Sequence, residues 1–257
     1  MNRRLSVAME MTIAGKDRQA PPQSAGAIPY VAVGGTVPAE PHPEFAERWR
    51  RPLNVVLAGV SIILLSPLMV LIAILVKITS RGPIFYMQTR VGWDRRSTRP
   101  GATDERRRED IGGLPFKIYK FRSMHVNAEH LTGAVWAARE DPRVTWIGQY
   151  LRQYRLDELP QLLNVIKGDM NIVGPRPERP SIFADLRVEI GDYARRQRAR
   201  PGITGLAQIN QQYDTSLEDV RNKVQYDLEY IRRQGMVEDL RIMLKTIPVI
   251  LFRRGGW

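Results

Sequence analysis

The chain of 257 residues has no cysteine and only three histidines, His42, His125 and His130. The absence of cysteine excludes disulfides, thiolate metal sites and cysteine nucleophiles, and is compatible with a cytoplasmic setting. The histidines are scattered without ligand spacing, so no zinc site is expected. Acidic residues are outnumbered by basic ones, 27 against 39, which gives a formal net charge of +12. We therefore expect anionic partners: nucleic acid, acidic lipid head groups or phosphorylated small molecules.

Large apolar residues and regular periodicity are both scarce at the start of the chain, which is rich in Pro, Gly and Ala. We predict that residues 1–47 form a disordered arm. No apolar run follows Arg3 and Arg4 within the first thirty residues, so a signal peptide is not expected.

Charge is missing from one long apolar run, LNVVLAGVSIILLSPLMVLIAILV, from Leu53 to Val76. About 20 apolar residues suffice to cross a bilayer, so a membrane segment is favoured over a buried core helix. Ser66 and Pro67 lie near its middle, where proline removes a backbone hydrogen bond and a serine hydroxyl can satisfy a freed group, so a break is expected. Basic residues flank the run on both sides: Arg48, Arg50 and Arg51 before it, and Lys77, Arg81, Arg90, Arg95 and Arg96 after it.

Basic flanks stay on the cytoplasmic side of a membrane. Because both flanks are basic, we predict that residues 48–79 form a re-entrant helix that enters and leaves by the same face. A single crossing stays open as the alternative, since the larger downstream excess of charge could place the arm outside.

Basic and apolar residues alternate in PFKIYKFRSM, from Pro115 to Met124. The pattern predicts a half-buried strand that directs Lys117, Lys120 and Arg122 toward an anion; an exposed basic edge is the alternative. Short extended pieces are expected around Ile84–Gln88. The charged stretch Ser97–Gly113 is predicted to be a solvated loop.

Two adjacent carboxylates, Asp157 and Glu158, stand among arginines in LRQYRLDELPQLLNVIKGDMNIVGPRPERP. The periodicity predicts one helix over VTWIGQYLRQY and a second that begins at Asp157 and ends at Gly168. The expected buried face of the second helix comprises Leu159, Leu162, Leu163 and Ile166. A helix start would explain the acids but not the arginines. These are Arg152 and Arg155 before the pair, and Arg176 and Arg179 after it.

Arginines beside a helix N-terminus fit a phosphate site. A carboxylate among them would be held ionised, as a nucleophile or a Mg²⁺ ligand requires. The pattern therefore predicts metal-assisted chemistry on a phosphate.

Three blocks, the dyad segment, KIYKFRSM and RARPGITGLAQIN, resemble the signature blocks of the monotopic phosphoglycosyl transferases, a family of bacterial sugar transferases. The likeness runs in order through residues 48–252 and includes the Ser-Pro pair. This family moves a hexose-1-phosphate from a nucleotide diphosphate sugar to a polyprenyl phosphate. The resemblance implies a mostly helical α+β fold, a cytoplasmic catalytic domain over residues 80–257, one re-entrant helix and interfacial amphipathic helices.

The resemblance also implies roles for the carboxylates. Asp157 would be the nucleophile that becomes a phosphosugar-aspartate, and a ligand of Mg²⁺. Glu158 would assist the metal or the proton transfers. The expected partners are a UDP-sugar, undecaprenyl phosphate and lipids of the bacterial inner membrane at its cytoplasmic face. Nucleic acid is not expected, and a homodimer is left open.

The same resemblance implies a set of phosphate-binding and nucleotide-binding residues: Arg152, Arg176, Pro175, Pro177, Lys120 and Arg122. Asn171 and Leu206 depart from the family, which usually has serine and often tryptophan there. The arm is too short for the extra multi-span domain of larger relatives.

The C-terminal third carries an arginine run from Arg195 to Arg200, which is expected to be a solvated face or a patch on acidic head groups. PGITG predicts a tight turn, and SLEDVRNKVQYDLEYIRRQ an amphipathic helix. MVEDLRIMLKTIPVILFRR is expected to rest in the membrane interface rather than pack on the core.

Two other functions fit parts of the sequence. A membrane-anchored nucleic-acid binder would explain the basic balance but should show aromatic residues among the basic runs. A Mg²⁺-dependent phosphatase would use the same acidic pair with water as acceptor, leaving the apolar segment unexplained. The sequence does not indicate which sugar is transferred.

Overall fold

The computed structural model describes residues 43–94, 112–126, 128, 141–211 and 216–251. The predicted arm up to residue 42 and most of the charged stretch Ser97–Gly113 lie outside these residues. The helices are α1 (Pro43–Thr79), α2 (Trp146–Gln153), α3 (Gln161–Lys167), α4 (Pro180–Glu189), α5 (Leu206–Asn210), α6 (Leu217–Arg233) and α7 (Met236–Leu251). The strands are β1 (Phe85–Val91), β2 (Pro115–Phe121), β3 (Asn171–Val173) and β4 (Gly202–Thr204). The predicted mixed, mostly helical class is confirmed.

The first helix, α1, is long and apolar enough to cross a membrane. Its helical structure continues through Ser66 and Pro67. Pro67 has no N–H to donate to the carbonyl of Ile63, four residues earlier. The Ser66 hydroxyl donates to that carbonyl instead, at 2.8 Å. The predicted break is therefore not an interruption of helical secondary structure, because a side chain replaces the missing backbone donor.

Both halves of α1 pack on the rest of the protein. In the first half, Ala58 is buried in a cluster with Ile118 and Leu162. In the second half, Val76 is buried in a cluster with Phe121. Side chains between these contacts, such as those of Ile63 and Leu64, are more than 70 % exposed. The helix thus touches the same compact body twice and leaves an apolar face uncovered between.

Strands β1 and β2 form the predicted extended pieces and pair as an antiparallel hairpin. In its register Tyr86 lies opposite Lys120. Asn164 of α3 fixes this hairpin: its Oδ1 accepts from the Tyr119 N–H at 3.0 Å, and its Nδ2 donates to the Lys117 carbonyl at 2.8 Å. The buried side-chain amide of Asn164 therefore fixes the position of Lys120 along β2 relative to α3.

Strands β3 and β4 pair in parallel, with Asn171 opposite Gly202. The predicted tight turn at PGITG is wrong, because Gly202–Thr204 within it form strand β4. Glycine is needed at this position, since a Cβ on Gly202 would lie 2.0 Å from the backbone nitrogen of Gly174. This close approach holds the loop after β3 against the core.

The two C-terminal helices complete the core. Helix α6 begins with a capping box between Ser216 and Asp219, which confirms the predicted helix. Helix α7 buries Ile242 in the largest core cluster. Met243 packs against the same cluster, whereas Leu240, Leu244 and Ile247 are exposed.

Candidate functional site

The carboxylate pair lies in a short 3-10 turn, Leu156–Glu158, between α2 and α3. The turn starts at Arg155, whose backbone is left-handed with φ 54°. The predicted start of the second helix at Asp157 is wrong, since α3 begins only at Gln161 and Pro160 occupies its N-cap position. Proline at this point supplies a helical φ of −63° but no capping side chain. The turn buries both carboxylates, each 7 % exposed.

The buried face of α3 differs from the predicted one. Leu162 is buried as expected, but Leu163 and Ile166 are each 40 % exposed. Asn164 and Val165 are buried instead. Asn164 must face inward to bond the β2 backbone, which turns Leu163 and Ile166 outward. The C-terminal end at Gly168, with φ 94°, agrees with the prediction.

Glu158 is held by two cations. Lys120 Nζ donates to Glu158 Oε1 at 2.7 Å. Arg176 Nη1 donates to Oε2 at 3.3 Å, and Nη2 donates to Oε1. Burial raises the pKa of Glu158, but Arg176 and Lys120 outweigh burial and hold the pKa well below its ordinary value. This side chain is therefore a fixed anion.

Asp157 has a different environment. Its nearest cation is Lys120, whose Nζ lies 3.8 Å from Asp157 Oδ2, beyond hydrogen-bonding distance. Among the described residues no donor bonds its side chain. Burial, reinforced by the charge of Glu158, raises the pKa of Asp157 to about 6, against the lowering effect of Lys120, Arg176 and Arg152. Asp157 is thus predominantly ionised at neutral pH, but it is the more basic carboxylate of the pair.

The other predicted site residues lie in two places. Arg152, in the last turn of α2, contributes positive charge near Asp157 but forms no hydrogen bond or ion pair with either carboxylate. Arg122 points away from the dyad to the end of α1. It donates to the Ser80 carbonyl at 2.7 Å and to the Arg81 carbonyl at 3.1 Å. The structure gives Arg122 a helix-capping contact and does not bring it to the carboxylates.

The proline-rich loop after β3 presents Arg176 to the dyad. Its main chain is bonded by Arg90, which donates to the Pro177 carbonyl at 3.1 Å, and by Arg196, which donates to the Arg176 carbonyl at 3.0 Å. The expectation that the arginine run is a solvated face is wrong at Arg196, which is buried. Arg196 pairs with Asp227 at 2.7 Å.

Sequence reasoning gave Arg90 and Arg196 no role at the site. The signal that could have found them is the proline content of the loop, since prolines leave carbonyls without nearby N–H partners. One residue of the predicted basic flank is not at the surface, because Arg50 is buried and bonds Asp239 at 2.8 Å.

The acidic pair fits partial coordination of Mg²⁺. This ion is commonly bound through one or two carboxylates together with waters and substrate phosphates. Asp157 offers carboxylate oxygens that accept no hydrogen bond from the described residues. Those residues contain no group of three or more acids or histidines that could form an all-protein cage. The site therefore fits a cation that is bound partly by Asp157 and partly by the phosphates of the substrate.

Comparison with known proteins gives the class. Residues 45–253 match the bacterial sugar transferase family. The chain belongs to this family, which confirms the resemblance of the signature blocks.

Several characterised relatives share this region. An N-acetylgalactosaminephosphotransferase of Aeromonas hydrophila that uses UDP-N-acetylgalactosamine and undecaprenyl phosphate is 40 % identical over 202 residues, covering 79 % of this chain and 43 % of the relative. A UDP-glucose:undecaprenyl-phosphate glucose-1-phosphate transferase of Caulobacter vibrioides is 39 % identical over 217 residues, covering 83 % and 74 %. The exopolysaccharide production protein ExoY of Sinorhizobium fredii is 35 % identical over 224 residues, covering 81 % and 88 %.

The chain therefore spans less than half of the Aeromonas relative and most of the other two. These relatives give no support to the nucleic-acid-binding alternative.

Proposed function

We propose that the protein transfers a hexose-1-phosphate from a UDP-sugar to undecaprenyl phosphate. The products are an undecaprenyl-diphosphate-sugar and UMP, in the first membrane step of exopolysaccharide or related glycan synthesis. The observation that best supports this proposal is the different hydrogen bonding of the two carboxylates. Glu158 is fixed by Lys120 and Arg176, whereas Asp157 accepts no hydrogen bond from the described residues. Neighbouring carboxylates with separated pKa values can take separate chemical roles.

In the first half-reaction an Asp157 oxygen attacks the β-phosphorus of the UDP-sugar. The bond from that phosphorus to the bridging oxygen breaks, and UMP leaves with the electron pair. A carboxylate whose pKa is about 6 is ionised at neutral pH, so no base has to activate it. Lys120 and Arg176, which lie beside the dyad, would offset the charge that develops on the phosphoryl oxygens.

In the second half-reaction an oxygen of undecaprenyl phosphate attacks the same phosphorus. The bond from phosphorus to Asp157 breaks, which restores the carboxylate and gives the lipid diphosphate sugar. The lowered pKa of Glu158 makes it a weak proton acceptor. We therefore assign Glu158 to holding Lys120 and Arg176 and to supporting the metal, rather than to proton transfer.

Mg²⁺ would be held by Asp157 together with the diphosphate of the donor, and when bound it would offset the negative charge of that diphosphate. Its presence would also reduce the repulsion between the donor and the acidic pair. The protein residues that remain to bind phosphate are Arg176, Lys120 and Arg152.

We propose a re-entrant, monotopic arrangement at the cytoplasmic face of the bacterial inner membrane. Ala58 and Val76 are about 27 Å apart along a straight helix, close to the thickness of a hydrocarbon core. Both are buried against the same body. A perpendicular crossing would put parts of that body on opposite sides of the membrane, whereas a shallow, bent path keeps them together. The exposed apolar side chains of α7 would rest in the same interface.

The test is intact-protein mass spectrometry on enzyme incubated with a panel of UDP-sugars without lipid. The accepted sugar should release at most one equivalent of UMP and add the mass of a hexose phosphate. Asp157→Asn should abolish both signals, while Glu158→Gln should slow them. An active enzyme that releases UMP only when undecaprenyl phosphate is present, without an adduct, would exclude Asp157 as nucleophile and leave direct transfer.

A further inference from the structure

The loop that carries Arg176 has few backbone donors of its own, because Pro175, Pro177 and Pro180 have no N–H. Its outer carbonyls are bonded by neighbouring main chain. Gly202 N donates to the Pro175 carbonyl at 3.0 Å, and Val91 N donates to the Glu178 carbonyl at 2.9 Å. The two central carbonyls, of Arg176 and Pro177, must therefore be satisfied by side chains or water.

Two arginines from distant segments satisfy these central carbonyls. Arg196 Nη2 donates to the Arg176 carbonyl at 3.0 Å, and Arg90 Nη1 donates to the Pro177 carbonyl at 3.1 Å. Four successive carbonyls of the loop thus have donors. The loop is fixed along its main chain before any substrate binds.

Arg196 has little freedom to move. Its Nε donates to Asp227 Oδ2 at 2.7 Å and its Nη1 donates to the Tyr193 hydroxyl at 2.8 Å. Its side chain is fully buried, and Asp227 is 1 % exposed. Because every nitrogen of the guanidinium has a partner, its position fixes the carbonyl of Arg176.

The main-chain position of Arg176 matters because its side chain makes two bonds to Glu158. Arg176 lies between two prolines, which restrict its own backbone as well as theirs. A main-chain rotation at the Arg176 carbonyl would therefore displace its guanidinium relative to Glu158. The fork geometry of an arginine is lost by small displacements.

We infer that Arg196, held by Asp227, is a positioning residue for Arg176 in transfer of the sugar phosphate. Arg196 contacts the main chain of the loop and not the dyad. The inference rests on the proposed function for its catalytic consequence. Its structural content, that Asp227 fixes the bond between Arg176 and Glu158, does not.

A second buried pair in the same protein provides a matched control. Arg50 Nε donates to Asp239 Oδ2 at 2.8 Å, and the two residues are 2 % and 4 % exposed. The other described side-chain partners of Arg50 are Glu47, Gln234 and Tyr230. This pair joins α1 to α6 and α7 and does not contact the loop of Arg176.

The experiment is a double-mutant cycle on full-length protein in nanodiscs, measuring kcat/KM for UMP release with UDP-sugar and undecaprenyl phosphate. The variants are Asp227→Asn and Arg176→Lys, alone and combined, with Asp239→Asn in place of Asp227→Asn as control. We expect Asp227→Asn to lower kcat/KM about tenfold alone and less than about twofold in the Arg176→Lys background, since coupled residues are not additive. Asp239→Asn should change kcat/KM by the same factor in both backgrounds. Multiplicative effects for Asp227→Asn, or wild-type activity in that variant, would overturn the inference.

Tyr193→Phe covers the case in which Asp227→Asn does not fold. It removes one acceptor of Arg196 with almost no change in volume. We expect it to lower kcat/KM in the wild-type background and to leave it unchanged in Arg176→Lys. Equal factors in both backgrounds would count against the positioning role.

Side-chain NMR separates this inference from the proposed function. If the wild type releases no UMP from any UDP-sugar, the proposed function fails, and the guanidinium signals of Arg176 decide the inference. These signals are assigned by their disappearance in Arg176→Lys. Their N–H protons should exchange slowly with water in the wild type and in Asp239→Asn, and rapidly in Asp227→Asn or Tyr193→Phe. Slow exchange retained in the Asp227 and Tyr193 variants would show that Arg196 does not position Arg176.

Discussion

Asp157 and Glu158 share one 3-10 turn and are equally buried, but of these two only Glu158 accepts hydrogen bonds from cationic side chains of the described residues. The nearby cations therefore interact unequally with the two carboxylates. Glu158 is stabilised as an anion, whereas Asp157 is an anion that burial disfavours. The unfavourable charge on Asp157, the proposed nucleophile, is expected to lower the stability of the fold.

Asp157→Asn should therefore stabilise the protein at neutral pH. The folded pKa of about 6 lies above the ordinary value of 3.8, so the favourable protonated state is present at low pH and lost as pH rises through 6. We expect a gain of about 1–3 kcal/mol at pH 7.5, from 1.36 kcal/mol per pKa unit, and a much smaller one at pH 4.5. Thermal unfolding at both pH values measures this. Asp185→Asn, on the exposed side of α4, is the control, and equal gains in both variants would contradict the prediction.

The rate of the first half-reaction should fall as pH drops below about 6, because protonation removes the nucleophile. Lys120 lowers the pKa of Asp157 by its charge. Lys120→Gln should therefore move the inflection of the pH–rate profile upward as well as reducing the rate. Lys117→Gln, at an exposed position of the same strand, should leave the inflection in place. An unmoved inflection in Lys120→Gln would mean that another group controls the rate.

The parts of the site that the sequence predicts are those that depend on residues adjacent in the chain. The strand with Lys120 and the acidic pair both follow from neighbouring residues. The end of α3 at Gly168 is local as well, since a left-handed position favours glycine.

The parts that the sequence does not predict depend on distant partners. Arg196 lies in a run of arginines typical of a solvated face, and only the fold brings Asp227 to it. Arg122 directly follows the strand that carries Lys120, but its guanidinium donates to carbonyls about 40 residues earlier in the chain. Local pattern gives a side chain its type, and long-range packing decides which buried group it has to satisfy.

Arg122→Gln separates the two roles considered for Arg122. Removing the guanidinium leaves the carbonyls of Ser80 and Arg81 without this donor, so we expect a loss of about 1–3 kcal/mol in unfolding free energy. The KM for the UDP-sugar should not change. Chemical denaturation and steady-state kinetics on the same preparation measure both quantities. A large rise in KM without loss of stability would restore Arg122 as a phosphate ligand.

The two ends of α1 should lie on the same side of the membrane if the helix is re-entrant. The chain has no cysteine, so single cysteines can report on the two ends. Trp49→Cys and Thr79→Cys are exposed positions near the ends of α1 and leave every basic residue in place. If both ends lie at the cytoplasmic face, an impermeant thiol reagent should label neither in spheroplasts and both after lysis. Labelling of Trp49→Cys alone before lysis would show a single crossing with the arm outside.

Pro67→Leu tests the physical cause of that path. The substitution restores a backbone N–H for the Ile63 carbonyl and removes the need for the Ser66 hydroxyl there. A straighter helix of about 55 Å exceeds the hydrocarbon core and favours crossing. We therefore expect Trp49→Cys to become partly labelled in spheroplasts when combined with Pro67→Leu. Ser66→Ala, which removes the hydroxyl and keeps the proline, should leave the labelling at the wild-type level, and labelling in that control would make the serine hydroxyl the determinant.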